Sequence, residues 1–153
     1  MKLLTTKEGS RVHLGRIDRP YTFVSPPESG EFALLLVVGD RSVSPEEQGE
    51  LSRQFVREGC RYAVCFGHGC SSWDDSIDMV GVMDDVEGRA GAFVMTTWHE
   101  DETIEEVVEF FATNTRFDDW SAREYVVLVI GGPDALEARV RAAVVGRFGQ
   151  EQQ

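Results

Sequence analysis

Phe32-Ala33-Leu34-Leu35-Leu36-Val37-Val38-Gly39-Asp40 is an uninterrupted apolar run closed by a glycine and an aspartate. A strand with one wet face alternates apolar and polar residues. A run with no polar member describes a strand buried on both faces, as in a parallel sheet covered by helices on each side. The next segment fits that reading. Ser44-Pro45-Glu46-Glu47 places a capping serine, a proline at the first helical position and two glutamates where the helix dipole favours negative charge. The spacing predicts a helix to about Glu58, stopped by Gly59.

The same strand-then-helix unit recurs downstream. Arg61-Tyr62-Ala63-Val64-Cys65-Phe66 reads as a second strand, followed by a helix capped by Ser71 or Ser72 with Trp73, Ile77 and Val80 on one face. Asp84 to Gly91 reads as an exposed loop. Ala92 to Trp98 reads as a third strand, before a helix opened by the box Thr103-Ile104-Glu105-Glu106. Tyr125 to Ile130 is the fourth strand, ending in Gly131-Gly132-Pro133-Asp134 ahead of a final helix. This alternation predicts an α/β fold: a three-layer αβα sandwich with a mainly parallel sheet of about four core strands, the common order 2-1-3-4 being the working expectation. Residues 1–30 are expected to form an extended arm or hairpin packed on a single α/β domain over 31–149, with His13 exposed in the arm.

Composition bounds the function. The chain has 153 residues and a formal net charge of −12, which repels polyphosphate and anionic lipid, so neither a nucleic-acid nor a membrane partner is expected. There is no apolar run of transmembrane length, and the N-terminus lacks the apolar segment of a secretory signal, so a cytoplasmic location is expected. The three cysteines, Cys60, Cys65 and Cys70, are odd in number and not spaced as a zinc ribbon or redox pair, so free thiols are expected.

In parallel sheets ligands bind beyond the carboxyl ends of the strands, where strand order reverses. With the order 2-1-3-4, Asp40 and His99 flank that reversal and Cys70 approaches from one strand further out. The stretch Cys65-Phe66-Gly67-His68-Gly69-Cys70-Ser71-Ser72-Trp73-Asp74-Asp75 carries the most chemistry. Cys70 before a helix N-terminus, with His68 or His99 as base, outlines a nucleophile. Asp74 and Asp75 in the same turn oppose a thiolate. Gly67 and Gly69 begin an incomplete dinucleotide fingerprint, but serine caps and the two aspartates would already satisfy that helix end, which disfavours phosphate. His68, Cys70 and His99 have the softness for zinc, yet His-x-Cys is tight for two ligands, and no metal or cofactor is expected. The acidic residues Asp74, Asp75, Asp78, Asp84, Asp85 and Glu87 read as a solvated face rather than a calcium or magnesium site, since no EF-hand loop or phosphate motif accompanies them. Trp73, at helical spacing with Ile77, is most simply core, whereas Trp98 beside His99 is placed to wall a pocket or an interface, and Glu100-Asp101-Glu102 adds an acidic rim suited to a basic partner.

The strings Cys60-Arg61-Tyr62-Ala63-Val64-Cys65, Gly67-His68, Cys70-Ser71-Ser72-Trp73-Asp74-Asp75 and Phe93-Val94-Met95-Thr96-Thr97-Trp98-His99 resemble a small bacterial family of unknown function, over about residues 31–131. The resemblance implies a bacterial origin and brings no activity with it. The residues themselves favour a non-catalytic binding or accessory module, engaging a protein or a small molecule at the carboxyl edge through Asp40, Gly67, Gly69, Trp73 and Trp98. A homodimer is allowed. The competing expectation is a hydrolase or transferase using Cys70, His68 and His99.

Overall fold

The computed structural model describes residues 1–5, 9–26, 30–88 and 93–149. In chain order its elements are β1 (Lys2–Thr5), β2 (Arg11–Ile17), β3 (Phe32–Val38), α1 (Pro45–Glu58), β4 (Cys60–Gly67), α2 (Cys70–Val86), β5 (Met95–His99), α3 (Ile104–Asn114), β6 (Arg116–Phe117), β7 (Trp120–Ser121), β8 (Glu124–Ile130) and α4 (Asp134–Phe148). The chain is α/β, with four helices, a mostly parallel six-stranded sheet in the order β1-β2-β8-β3-β4-β5, and a small antiparallel pair, β6-β7.

Strand β3 is the centre, and every one of its side chains is buried. Because successive side chains point to opposite faces, Ala33, Leu35 and Val37 pack with Val107 and Phe111 of α3 and Val140 and Val144 of α4. Phe32, Leu34, Leu36 and Val38 pack with Leu51 and Phe55 of α1 and Trp73 and Ile77 of α2. Burying each large apolar side chain contributes about 1.5–3 kcal/mol, so β3 feeds two cores at once. Helix α1 forms as its sequence predicts: Ser44 Oγ accepts from Glu47 N, the Glu47 carboxylate accepts from Ser44 N, and Gly59 ends it with φ +115°. Thr103 and Glu106 close the same reciprocal box on α3.

Four expectations are corrected. The strand order is not 2-1-3-4: β5 lies beyond β4, two places from β3, and β8 occupies the other side of β3. The chain steps outward from β3 to β4 to β5 while α1 and α2 stay on one face, and α3 then returns it across the opposite face to β8. The sheet also has six strands rather than about four, because part of the expected N-terminal arm belongs to it. β1 and β2 form an antiparallel pair, and β2 runs parallel to β8 from Arg11↔Glu124 to Ile17↔Ile130. His13, expected to be exposed, is therefore buried between β1 and β8, with Nε2 2.7 Å from Glu124 Oε2. Helix α2 continues through Asp84 to Val86, where a loop was expected, and the third expected strand begins at Met95, its first residue Ala92 lying outside the described residues.

If β3 carries both cores, Leu35→Ala should cost about 2–5 kcal/mol of unfolding free energy. Urea denaturation of the two proteins measures it, and a loss below about 1 kcal/mol would show that the site can collapse around the deletion.

Candidate functional site

All five parallel strands present their carboxyl ends at one end of the sheet, and the order observed moves the reversal point to the gap between β3 and β8. That gap is closed. Gly39 N and Asp40 N both donate to Ile130 O, at 2.8 and 2.9 Å. A Cβ on Gly39 would stand 2.7 Å from Gly131 O and 2.9 Å from Gly132 Cα, so the two loops touch backbone to backbone with no room for a ligand.

Asp40 seals the top. Its Oδ1 accepts from both the backbone N and the hydroxyl of Ser42, each at 2.7 Å, and its Oδ2 accepts from the Tyr21 hydroxyl. Arg19 lies over the Tyr21 ring and binds Glu47 and the Ser42 carbonyl. The Tyr21 and Ser42 donors hold the Asp40 carboxyl down to about 2, while burial and then the Asp40 contact push Tyr21 up to about 12. With both oxygens engaged, Asp40 anchors the segment after β2 to the sheet end and is not placed to serve as a base.

The proposed nucleophile and its base do not meet. Cys70 is 3% exposed, and its thiol donates at 3.7 Å to the backbone carbonyl of His99, not to the imidazole. Burial pushes the thiol up, with the His99 carbonyl contact opposing only in part. The His99 ring lies on the α3 side, its Nδ1 2.8 Å from Glu102 Oε1, its Nε2 3.1 Å from Thr97 Oγ1, and its centroid 4.6 Å from that of Phe110. Both ring nitrogens are thus occupied. Burial likewise raises Cys60 to about 12 and Cys65 well above the ordinary thiol range. Among the described residues no three of His, Cys, Asp and Glu converge as metal ligands, so His68, Cys70 and His99 do not assemble as a zinc set.

What the fold does bring together lies one strand from the reversal point. A cleft of about 260 Å³ between the β3–α1 and β4–α2 loops is lined by Asp40, Arg41, Val43, Pro45, Gln48, His68, Gly69, Ser72 and Trp73. Gly67 makes the turn possible: its φ is +98°, and a Cβ there would come 2.4 Å from Val38 O. His68 then stands exposed at the rim while Trp73, buried, forms the floor. Arg41, unremarked in the sequence, is exposed and makes no ion pair among the described residues. It was detectable only as a cation placed just after a strand end. Trp98 is elsewhere, 53% exposed on the edge strand β5.

The expectation that this helix end is already satisfied is corrected. Helix α2 begins at Cys70, so Ser71 and Ser72 lie inside its first turn and the preceding residue is Gly69, which has no side chain to cap with. Ser72 Oγ instead faces Gln48. No acidic residue occupies that first turn. Asp74, read as solvent-facing, is 6% exposed and turned toward Thr96 of β5, and its Oδ2 has no hydrogen-bond partner among the described residues. Burial raises its pKa, and the Thr96 hydroxyl offsets that only in part.

The chain belongs to the family described as Domain of unknown function (DUF7684), whose model matches residues 13–145. The match therefore includes most of β2 and of α4, both outside the 31–131 span on which the resemblance rested. None of the curated proteins matches. No helix among the described residues is long and apolar enough to cross a membrane.

Two outcomes follow from these carboxylates. Asp40 is depressed in the fold, so its tie to Tyr21 contributes fully above the unfolded value of 3.8 and is lost as pH falls through about 2. Tyr21→Phe should cost about 1.5 kcal/mol near neutral pH, and the gap to wild type should shrink in thermal melts between pH 5 and pH 2 (about). Asp74 is shifted the other way, so its ionised form destabilises the fold at neutral pH. Asp74→Asn should raise Tm at pH 7 or so, with the gain fading as pH falls toward the unfolded carboxyl value; a gain independent of pH would contradict the burial argument.

Proposed function

We propose that this chain, a member of a family whose description assigns no activity, is a non-catalytic binding or accessory module that holds the acidic group of a small molecule at the carboxyl edge of its sheet. The observation that carries the reading is the cleft in which Arg41, without an ion-pair partner among the described residues, and His68 face the start of α2. The first N–H groups of a helix have no intrahelical acceptor, and the positive end of its dipole favours negative charge. Gly69 and Trp73 supply the wall and floor, and Gln48 and Ser72 add neutral hydrogen-bonding groups. Of the residues expected from the sequence, Asp40, His68, Gly69 and Trp73 line this cleft, Gly67 shapes its turn, and Cys70, Trp98 and His99 lie outside the lining.

A hydrolase or transferase built on Cys70 has less support. A thiol nucleophile needs exposure, a depressed pKa and a base within reach, whereas Cys70 is buried, raised, and bonded to a carbonyl.

Thermal shift and calorimetry with inorganic phosphate and citrate as probes test the reading. A ligand at about 100 times its Kd stabilises the fold by roughly 2.7 kcal/mol, so wild type should show a rise in Tm that Arg41→Ala and His68→Ala each diminish. Both side chains are exposed, so neither change should disturb the core. Cys70→Ser should keep the shift. No shift with either probe, or a shift retained by the double variant, overturns the proposal.

A further inference from the structure

Strand β5 ends the sheet, and no strand among the described residues pairs with its outer edge. Edge strands offer a row of unpaired N–H and C=O groups, and proteins ordinarily blunt them with charge, proline, a bulge or shortness. Strand β5, Met95-Thr96-Thr97-Trp98-His99, has no charged residue and no proline, and its register against β4 runs without a shift from Tyr62↔Met95 to Phe66↔His99. The opposite edge differs: β1 has four residues and carries Lys2.

The surroundings select a partner. Trp98 is 53% exposed on this strand, and Phe93, just before it, is 58% exposed. Over one face of the edge, α2 presents Asp74 and Asp78, four residues apart and so on one side of the helix. Asp74 reaches Thr96, yet its buried Oδ2 has no partner among the described residues. Beyond the carboxyl end of β5 stand the exposed Glu100, Asp101 and Glu102. A second copy of the chain paired edge to edge would set these acidic groups against their own kind, which destabilises an interface.

We propose that the free edge of β5 adds an extended, basic segment of another protein as a further strand, its backbone pairing with Met95–His99, its Lys or Arg side chains meeting Asp74, Asp78 and the Glu100 to Glu102 rim, and its apolar residues covering Trp98. Main-chain pairing supplies affinity and alternate side chains supply specificity in this mode of recognition. A residue of the added strand opposite Thr96, on a strand about 4.8 Å away, projects beneath the flank of α2 that carries Asp74 and Asp78. The segment would complete the one buried carboxylate oxygen that the described chain leaves unpaired.

The probe is a synthetic peptide of alternating Lys with Val and Thr, with two controls: Glu in place of Lys, and the Lys peptide with N-methyl groups on its pairing edge. Trp fluorescence and hydrogen exchange read the result. The Lys peptide should bind, slow exchange of the backbone amides of β5, and lose affinity in Asp78→Asn and in Trp98→Ala, both exposed positions whose replacement leaves the core intact. N-methylation, which deletes backbone hydrogen bonds worth about 1 kcal/mol each, should weaken it roughly fivefold for each methyl group. Absence of binding, equal binding of the Glu peptide, or equal binding of the N-methylated peptide overturns the proposal. So does self-association of the protein alone with the same amides protected. None of these variants touches Arg41 or His68, so this result stands apart from that for the cleft.

Discussion

Strand β3 has no polar face, and the rest of the architecture answers to that. A strand buried on both sides requires helices on both sides. Parallel strands joined through those helices all point the same way, so every strand-to-helix loop of the parallel run gathers at one end. The loops holding Asp40, His68 and His99 are neighbours because Leu34, Leu35 and Leu36 all need cover.

The same geometry normally leaves a crevice where strand order reverses, and here the crevice is filled. Gly39, Gly131 and Gly132 bring two backbones into contact, and Tyr21 reaches over from the segment after β2 to bind Asp40. Glycine and tyrosine act together: without side chains the two loops can meet, and once they meet, the carboxylate is freed to serve as an anchor. The consequence is a displaced cleft, one strand along, in which Arg41 and His68 join the engaged Asp40 in the lining.

The parts legible in the sequence are those fixed by neighbours a few residues apart. The capping boxes at Ser44 and Thr103, the stop at Gly59 and the four apolar strands are local patterns with local causes, and each appears in the structure. Strand order is not local: the orders 2-1-3-4 and the one observed bury the same residues and need similar connections, so periodicity does not distinguish them. The pairing of β2 with β8 joins segments more than a hundred residues apart, and only that pairing reveals why His13 is buried. The serines of α2 mislead for a different reason. Ser71, Ser72 and Gly69 are all acceptable at a cap, and the glycine turn at Gly67 starts the helix two or three residues earlier than the serines suggest. That small shift reverses the electrostatic reading of the helix end, because it moves Asp74 out of the first turn and onto the flank facing β5.

Charge then has two distinct organisations in one small chain of net −12. The cleft near α1 and α2 presents a cation without an ion-pair partner among the described residues, and the open edge two strands away presents carboxylates and a tryptophan. From β3 to β5 is about 10 Å at ordinary strand spacing, comparable to the Debye length of ~10 Å at 0.1 M salt. At that ionic strength each region responds mainly to its own charges, so the acidic edge does not cancel the attraction of Arg41 for an anion. As salt is removed the screening length grows toward about 30 Å at 0.01 M and the net charge of the whole chain is felt at both places. Basic partners at β5 then gain on approach while anions at the cleft are held off, and the two surfaces must diverge in their dependence on ionic strength.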